Sequence, residues 1–164
     1  MSFPSSTHRY ASGMSARITV STVREDTVNY RADGPDYLYR FWKDVIATQP
    51  DHEPEKESMV VMLLNTKLFA FAWHRVAVGT VSEVMAHPRE ILRPVIAGSA
   101  WAFALMHNHP SGDPNPSAAD SRMTTRLREC GELMGIPLKD HVIAGEPAVG
   151  RLPYYSFREA GLIA

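Results

Sequence analysis

The chain has 164 residues, of which 45% are hydrophobic and 21% are charged, as in an ordinary folded domain. This composition excludes disordered, fibrous and collagen-like proteins, and the length suits one domain rather than two. With 17 basic and 18 acidic residues, the formal net charge is -1. This balance excludes a protein that holds nucleic acid or anionic lipid through bulk positive charge.

Cysteine usage and the apolar runs indicate the compartment. Cys130 is the single cysteine, so the chain forms no internal disulfide. No apolar run approaches the length of a membrane span, and the first residues lack the apolar core of a signal peptide. We therefore expect a cytoplasmic protein that has no membrane contact, with a flexible tail over residues 1–15 and a single domain over residues 16–164.

Hydrophobic periodicity and turn residues predict the elements of the first half. The alternating run at residues 16–23 predicts a strand, and the apolar stripe at residues 37–48 predicts a helix. A charged loop with two prolines follows at residues 49–57. Two β-favouring runs then flank Asn65 to Lys67, which predicts a hairpin of central strands.

In the second half, Pro88 suits the first turn of a helix, in which Pro94 predicts a kink or an early break. The apolar run 101–106 predicts a strand that is covered on both faces, and residues 117–135 predict the longest helix. Further strands are expected at residues 138–145 and 152–157. Strands interleaved with helices indicate an α/β fold with a mixed central sheet flanked by helices.

The segment with the clearest chemistry follows the apolar strand. If the strand extends through His109, alternation places the side chains of His107 and His109 on one face and that of Asn108 on the other. Zinc accepts imidazole nitrogen and carboxylate oxygen, and catalytic sites use three protein ligands with one open position. Asp120 completes such a set. Gly112 and three prolines restrict the connecting loop, which lowers the entropic cost of bringing Asp120 to the histidines.

The same residues also support a purely structural interpretation. Ser117 and Asp120 are spaced as a capping box, in which both side chains satisfy free backbone N–H groups at the start of a helix. The two interpretations are compatible, because one carboxylate oxygen of Asp120 can bind metal while the other accepts from the backbone.

Three motifs together resemble a known family. HNHPSGDPNPSAAD, at residues 107–120, fits the His-x-His, seven residues, Ser, two residues, Asp pattern of the JAMM (JAB/MPN) metallohydrolases. HPREI and LKDHVIAG, which begin at His87 and Leu138, resemble the RadC-like branch of that family. The resemblance extends from Glu57 to the end of the chain.

This resemblance implies a cytidine-deaminase-like JAB/MPN fold that holds zinc on His107, His109 and Asp120. It also implies that Ser117 lies near the reacting oxygen and that a glutamate upstream acts as the base. Alignment of the first sheet strand places this base at Glu57. Spacing alone leaves three glutamates open, and we rank Glu57 first and Glu83 second, ahead of Glu90. His87 and His141 are expected to hold turns or hydrogen-bond neighbours rather than bind the zinc.

Within the family, such a site cleaves peptide or isopeptide bonds, so the expected partner is a protein or peptide substrate that the sequence does not identify. One alternative is an interaction module that keeps the metal for structure, or has an inactive site, in a DNA-repair complex. Another is a DNA-processing enzyme that uses Arg122, Arg126 and Arg128. The near-neutral charge argues against direct DNA binding, as does the lack of a helix-hairpin-helix pattern in residues 1–56.

Overall fold

The computed structural model describes residues 30–79 and 86–163 of the protein. The predicted tail at residues 1–15, the predicted strand at residues 16–23 and the alternative base Glu83 lie outside these described residues. The division of the chain into a tail and a single domain therefore stays a prediction.

The described residues form a mixed sheet of six strands with helices packed on it. The strands lie in the order β1-β3-β2-β4-β5-β6, and neighbours are antiparallel except for β4 and β5, which are parallel. The predicted α/β class with a mixed sheet is confirmed. The strands are β1 (Tyr30–Arg31), β2 (Ser58–Leu64), β3 (Phe69–Val78), β4 (Ala102–Asn108), β5 (Leu138–Ala144) and β6 (Tyr154–Ser156). The helices are α1 (Pro35–Phe41), which continues as a π-helical turn (Trp42–Ile46), α2 (Pro88–Ala97) and α3 (Ala118–Met134).

The central strands are buried on both faces, which explains their continuous apolar sequence. Every residue of β2 and β4 is buried. Met59 and Val61 of β2 share a core cluster with buried residues of α2 and α3, whereas Val60 and Met62 share another with residues of α1. Each fully buried Val or Met contributes about 2 kcal/mol, so the site at the end of β4 stands on a firmly held strand.

The predicted hairpin and the longest predicted helix are both present. The hairpin turns at Asn65, whose side-chain Oδ1 accepts hydrogen bonds from the backbone N–H groups of Lys67 and Phe69. Helix α3 begins after Ser117 and ends at Gly135, which takes the left-handed conformation (φ +67°) that favours glycine at a helix end.

Helix α2 does not break early. It runs past Pro94 to Ala97, so the early break predicted from this proline is wrong. The buried side chains of Ile91 and Val95 lie on either side of Pro94 and attach both parts of the helix to one core cluster. That burial offsets the single backbone hydrogen bond that proline removes.

The element order places β4, the loop after it and the start of α3 at one end of the sheet. β4 lies between β2 and β5, so residues before β2 and within β5 can reach the end of β4. Among the described residues, no helix combines the length and the apolar character that crossing a bilayer requires.

Candidate metal centre

His107 and His109 lie at the end of β4 and face each other, as the strand alternation predicts. The two Nε2 atoms are 3.2 Å apart, and His107 is completely buried. Nδ1 of His109 lies 2.8 Å from the carbonyl oxygen of Asp113. Because a carbonyl only accepts, Nδ1 of His109 donates this hydrogen bond, and Nε2 of the neutral ring carries a lone pair toward His107.

The loop after His109 is fixed by the segment that follows β5. Gly112 has φ +75°, and its carbonyl accepts from the backbone N–H of Glu146 and from the guanidinium of Arg151. Arg151 also pairs with the carboxylate of Asp113 at 3.0 Å. Since the carbonyl of Asp113 is the partner of His109, these contacts hold the loop that orients the second imidazole.

Asp120 caps its own helix and faces the histidines at the same time. Its Oδ2 accepts from the backbone N–H of Ser117 at 2.7 Å and from the Ser117 hydroxyl at 2.6 Å, while its backbone N–H donates to that hydroxyl oxygen at 3.1 Å. Its Oδ1 lies 3.3 Å from Nε2 of His107. The capping box is thus present, and the two carboxylate oxygens divide as the two compatible interpretations require.

Glu57 reaches the same place from the start of β2. It is 7% exposed, and its Oε1 lies 3.6 Å from Nε2 of His107. Asn108, which lies between the two histidines, holds the backbone on both sides of Glu57. Its Oδ1 accepts from the N–H of Ser58 at 2.8 Å, and its Nδ2 donates to the carbonyl of Lys56 at 3.1 Å.

These four side chains form one cluster that is suited to a cation. One ligand atom from each of Glu57, His107, His109 and Asp120 lies within 4.8 Å of all the others. Two imidazoles and two carboxylates match the nitrogen and oxygen donors that zinc accepts. The two carboxylates give the cluster negative charge that a divalent cation neutralises, so the residues present fit a metal ion.

The pKa shifts in the cluster have the same origin. Burial raises the pKa of the Asp120 carboxyl, but hydrogen bonds with His107, His109 and Ser117 outweigh burial and hold that pKa well below its ordinary value. Burial lowers the pKa of His109, but Asp120 and the Asp113 carbonyl outweigh burial and raise that pKa above its ordinary value. Asp120 is therefore ionised over the whole physiological range.

The other candidate residues lie elsewhere. Glu90 is outside the cluster and pairs with Arg93 at 3.3 Å on the surface of α2. His87 caps that helix, since its Nδ1 accepts from the backbone N–H of Arg89 at 3.2 Å. His141 lies behind His107, and its Nε2 is 2.8 Å from Nδ1 of that ring.

Ser117 has a defined task in this geometry. Its hydroxyl hydrogen goes to Asp120, so contact with a reacting oxygen would require the hydroxyl to turn away from the carboxylate. Its role beside the reacting oxygen stays a prediction.

The arginines proposed for DNA contact do not form one group. Arg122 and Arg126 line a shallow pocket on the outside of α3 together with Ser121, Thr125 and Glu129. Arg128 is not among the lining residues, and Nε of its side chain is buried without a hydrogen-bond partner among the described residues.

The chain is similar in sequence to known proteins. The family model of the RadC-like JAB domain matches residues 34–162. A UPF0758 protein of Thermotoga maritima is 43% identical over 107 residues, which cover 65% of this chain and 46% of that protein. A UPF0758 protein of Clostridium kluyveri is 38% identical over 133 residues, covering 80% and 56%. One of Chlorobaculum parvum is 38% identical over 136 residues, covering 83% and 57%.

The matches cover different shares of this chain and of its relatives. The chain spans about half the length of the curated relatives it matches. The family model, in contrast, covers most of this chain and includes all four residues of the metal cluster. The resemblance seen in the sequence motifs is therefore confirmed, and the chain belongs to the RadC-like JAB domain family.

Proposed function

We propose that the protein is a zinc-dependent hydrolase that cleaves an amide bond, in a peptide or an isopeptide linkage. The observation that carries this proposal is the convergence of two imidazoles and two carboxylates at the end of β4. His107, His109 and Asp120 would hold the metal, and Glu57 would act in proton transfer. The cytidine-deaminase-like relation of the fold belongs to the same proposal.

Zinc, when bound, supplies Lewis acidity that lowers the pKa of water and polarises a carbonyl. The chain's own residues supply the rest. Glu57 is nearly buried beside the cluster, where its carboxylate is placed to take a proton from water and to deliver it to the leaving nitrogen. Ser117 is exposed at the start of α3, and its hydroxyl would reach a substrate carbonyl by turning away from Asp120.

The buried side of the cluster keeps solvent away from the reacting groups. His107 and Asp120 are buried, whereas His109 is only partly buried and marks the accessible side. A substrate amide would therefore approach over His109 and Ser117. A protein or peptide is the class of partner that carries such amide bonds.

A screen of peptide and isopeptide substrates tests the proposal. The wild-type protein, loaded with one equivalent of zinc, is compared with Glu57→Gln and with the matched variants Glu83→Gln and Glu90→Gln. We expect Glu57→Gln to lose at least about 100-fold in kcat while it keeps its zinc and its melting temperature, because it removes a proton acceptor alone.

The other outcomes have definite meanings. If Glu83→Gln or Glu90→Gln abolishes hydrolysis while Glu57→Gln does not, the base has been assigned to the wrong residue. If zinc binds but no substrate is cleaved, and His109→Ala unfolds the protein, the metal supports an interaction module instead.

A further inference from the structure

We infer that Thr124 and His141 hold a hydrogen of His107 on Nδ1, so that Nε2 of His107 is the ring nitrogen left to bind a metal. His141 and Thr124 are then positioning residues, which act through His107 and do not bind the metal themselves. The inference rests on the proposed function in one respect, which is the assignment of His107 as a ligand.

A continuous chain of buried polar groups leads from α3 to His107. The hydroxyl of Thr124 donates to the carbonyl oxygen of Asp120 at 2.7 Å. The same hydroxyl oxygen lies 2.6 Å from Nδ1 of His141, whose Nε2 lies 2.8 Å from Nδ1 of His107. Thr124, His141 and His107 are at most 1% exposed.

Counting hydrogens along this chain gives its direction. Threonine has one hydroxyl hydrogen, and the carbonyl of Asp120 takes it, so the hydroxyl oxygen accepts from Nδ1–H of His141. A second hydrogen on His141 would make it a cation in a completely buried position, which is costly. Its Nε2 therefore accepts from Nδ1–H of His107, which leaves Nε2 of His107 as the ring nitrogen that can bind a metal.

The reverse order would block the site. Thr124 would donate to His141 instead of Asp120, and Nε2 of His141 would donate to His107. The hydrogen of His107 would then lie on Nε2, which faces His109 at 3.2 Å and Oδ1 of Asp120 at 3.3 Å. A ring with its hydrogen in that place cannot offer a lone pair to a metal.

The ring of His141 is held in the orientation that this chain requires. It stacks on Phe157 with ring centroids 4.8 Å apart and planes 7° from parallel. Its backbone N–H donates to Asp140, and its carbonyl accepts from Phe157. Histidine ligands commonly donate their second ring N–H to a carboxylate, a carbonyl or water. Here His109 donates to the carbonyl of Asp113, and His107 donates to the imidazole of His141.

Nuclear magnetic resonance of the metal-free full chain, labelled with nitrogen-15, tests the inference directly. Two-bond proton–nitrogen correlations report which ring nitrogen of each histidine carries the hydrogen. In the wild-type protein we expect Nδ1 of His107 to carry a hydrogen, whether or not Nε2 carries another beside Asp120. Thr124→Val removes the hydroxyl without changing the size of the side chain, and we expect His107 to shift toward the Nε2–H form.

Zinc affinity, measured by competition with a chelator, is the second readout. We expect Thr124→Val to weaken zinc binding by about 10-fold to 100-fold, the usual effect of removing a partner behind a ligand. Thr124→Ser keeps the hydroxyl, and we expect it to match the wild-type protein in both readouts. Thr125→Val is the matched control, because Thr125 makes the same bond to the carbonyl four residues earlier, but on the exposed side of α3.

The results separate this inference from the proposed function. Wild-type His107 without a hydrogen on Nδ1 would overturn the inference, whatever the activity, and so would unchanged readouts in Thr124→Val. If that variant does not fold, the wild-type spectrum and Thr124→Ser still decide. If the wild-type protein shows the expected form and binds zinc but hydrolyses no amide, the proposed function fails and the inference stands.

Discussion

Asp120, at the start of α3, and Asp140, in β5, occupy similar surroundings, yet they do different work. Both are buried, and both accept hydrogen bonds from a serine hydroxyl and from backbone N–H groups. Asp120 also faces His107 and His109, whereas Asp140 braces the turn after Ser156, where it accepts from the N–H of Arg158.

Their pKa shifts have opposite signs for this reason. Hydrogen bonds with two imidazoles outweigh burial and lower the pKa of Asp120. Burial dominates at Asp140 and raises its pKa, although Ser156 and the neighbouring N–H groups act in the other direction. A buried aspartate with a serine partner is thus a common structural device, and the converging imidazoles are what make one of the two a candidate ligand.

The largest expected effect is that of replacing Asp120 with asparagine, and the same replacement at Asp140 serves as the comparison. Asp120→Asn replaces a carboxylate oxygen with N–H groups that face the histidines, so we expect zinc affinity to fall by more than about 100-fold. Asp140→Asn keeps the acceptor for His141 and Arg158, and we expect zinc affinity to be unchanged. Competition with a chelator measures the zinc affinity of both variants, and equal losses of affinity would contradict the distinction between the two aspartates.

The next largest effect is expected at Asn108, which supports the backbone beside Glu57. Asn108→Ala releases the backbone around Glu57, so we expect kcat to fall while zinc affinity stays constant. Asn65→Ala removes comparable bonds in the distant hairpin turn. Each variant should lose about 1–3 kcal/mol in urea unfolding, because backbone groups lose their partners. A normal kcat in Asn108→Ala would show that Glu57 does not need this support.

A smaller effect is expected at the two serines. Ser117→Ala removes a helix cap worth about 1 kcal/mol and also frees the Asp120 carboxylate, so we expect zinc affinity to fall by about 10-fold. Ser156→Ala removes the hydroxyl beside Asp140 and should lower only the melting temperature. Calorimetry and zinc titration of both variants make the comparison, and loss of zinc in Ser156→Ala would contradict it.

The smallest effect is a pH dependence with a definite sign. Because the pKa of Asp140 is raised in the folded protein, its ionisation disfavours folding. The free energy of unfolding of the wild-type protein should therefore fall relative to Asp140→Asn as pH rises from the ordinary value of 3.8 through the raised pKa. Asp120 has the opposite sign, since its contribution is lost as pH falls.

Urea unfolding of the metal-free proteins between about pH 4 and about pH 7 measures this difference. If the free energies of unfolding of wild type and Asp140→Asn differ by a constant amount over this range, the pKa of Asp140 is not raised.

The sequence predicts one half of the cluster well because the rules that place it are local. Strand alternation puts His107 and His109 on one face, and the capping-box spacing puts Asp120 at the start of α3. All three lie within a single stretch of strand, loop and helix. The central hairpin and the mixed sheet follow from similar local patterns of apolar and turn residues.

The other half depends on register, which local patterns do not determine. Met59 pairs with His107 across β2 and β4, and this pairing brings Glu57 to the cluster and Asn108 to the backbone beside it. Nothing near Glu57 distinguishes it from Glu90 without the family resemblance. The contact between Thr124 and His141 is not predictable for the same reason, because the two residues lie on different elements.

The central claim is that His107, His109 and Asp120 hold one zinc ion. X-ray absorption at the zinc edge of the loaded full chain, read together with the metal content, tests it most directly. The account predicts one zinc per chain, with two imidazole nitrogens at about 2.0–2.1 Å and carboxylate oxygen completing the protein ligands. A folded protein that takes up no zinc, or zinc without imidazole ligands, would contradict it.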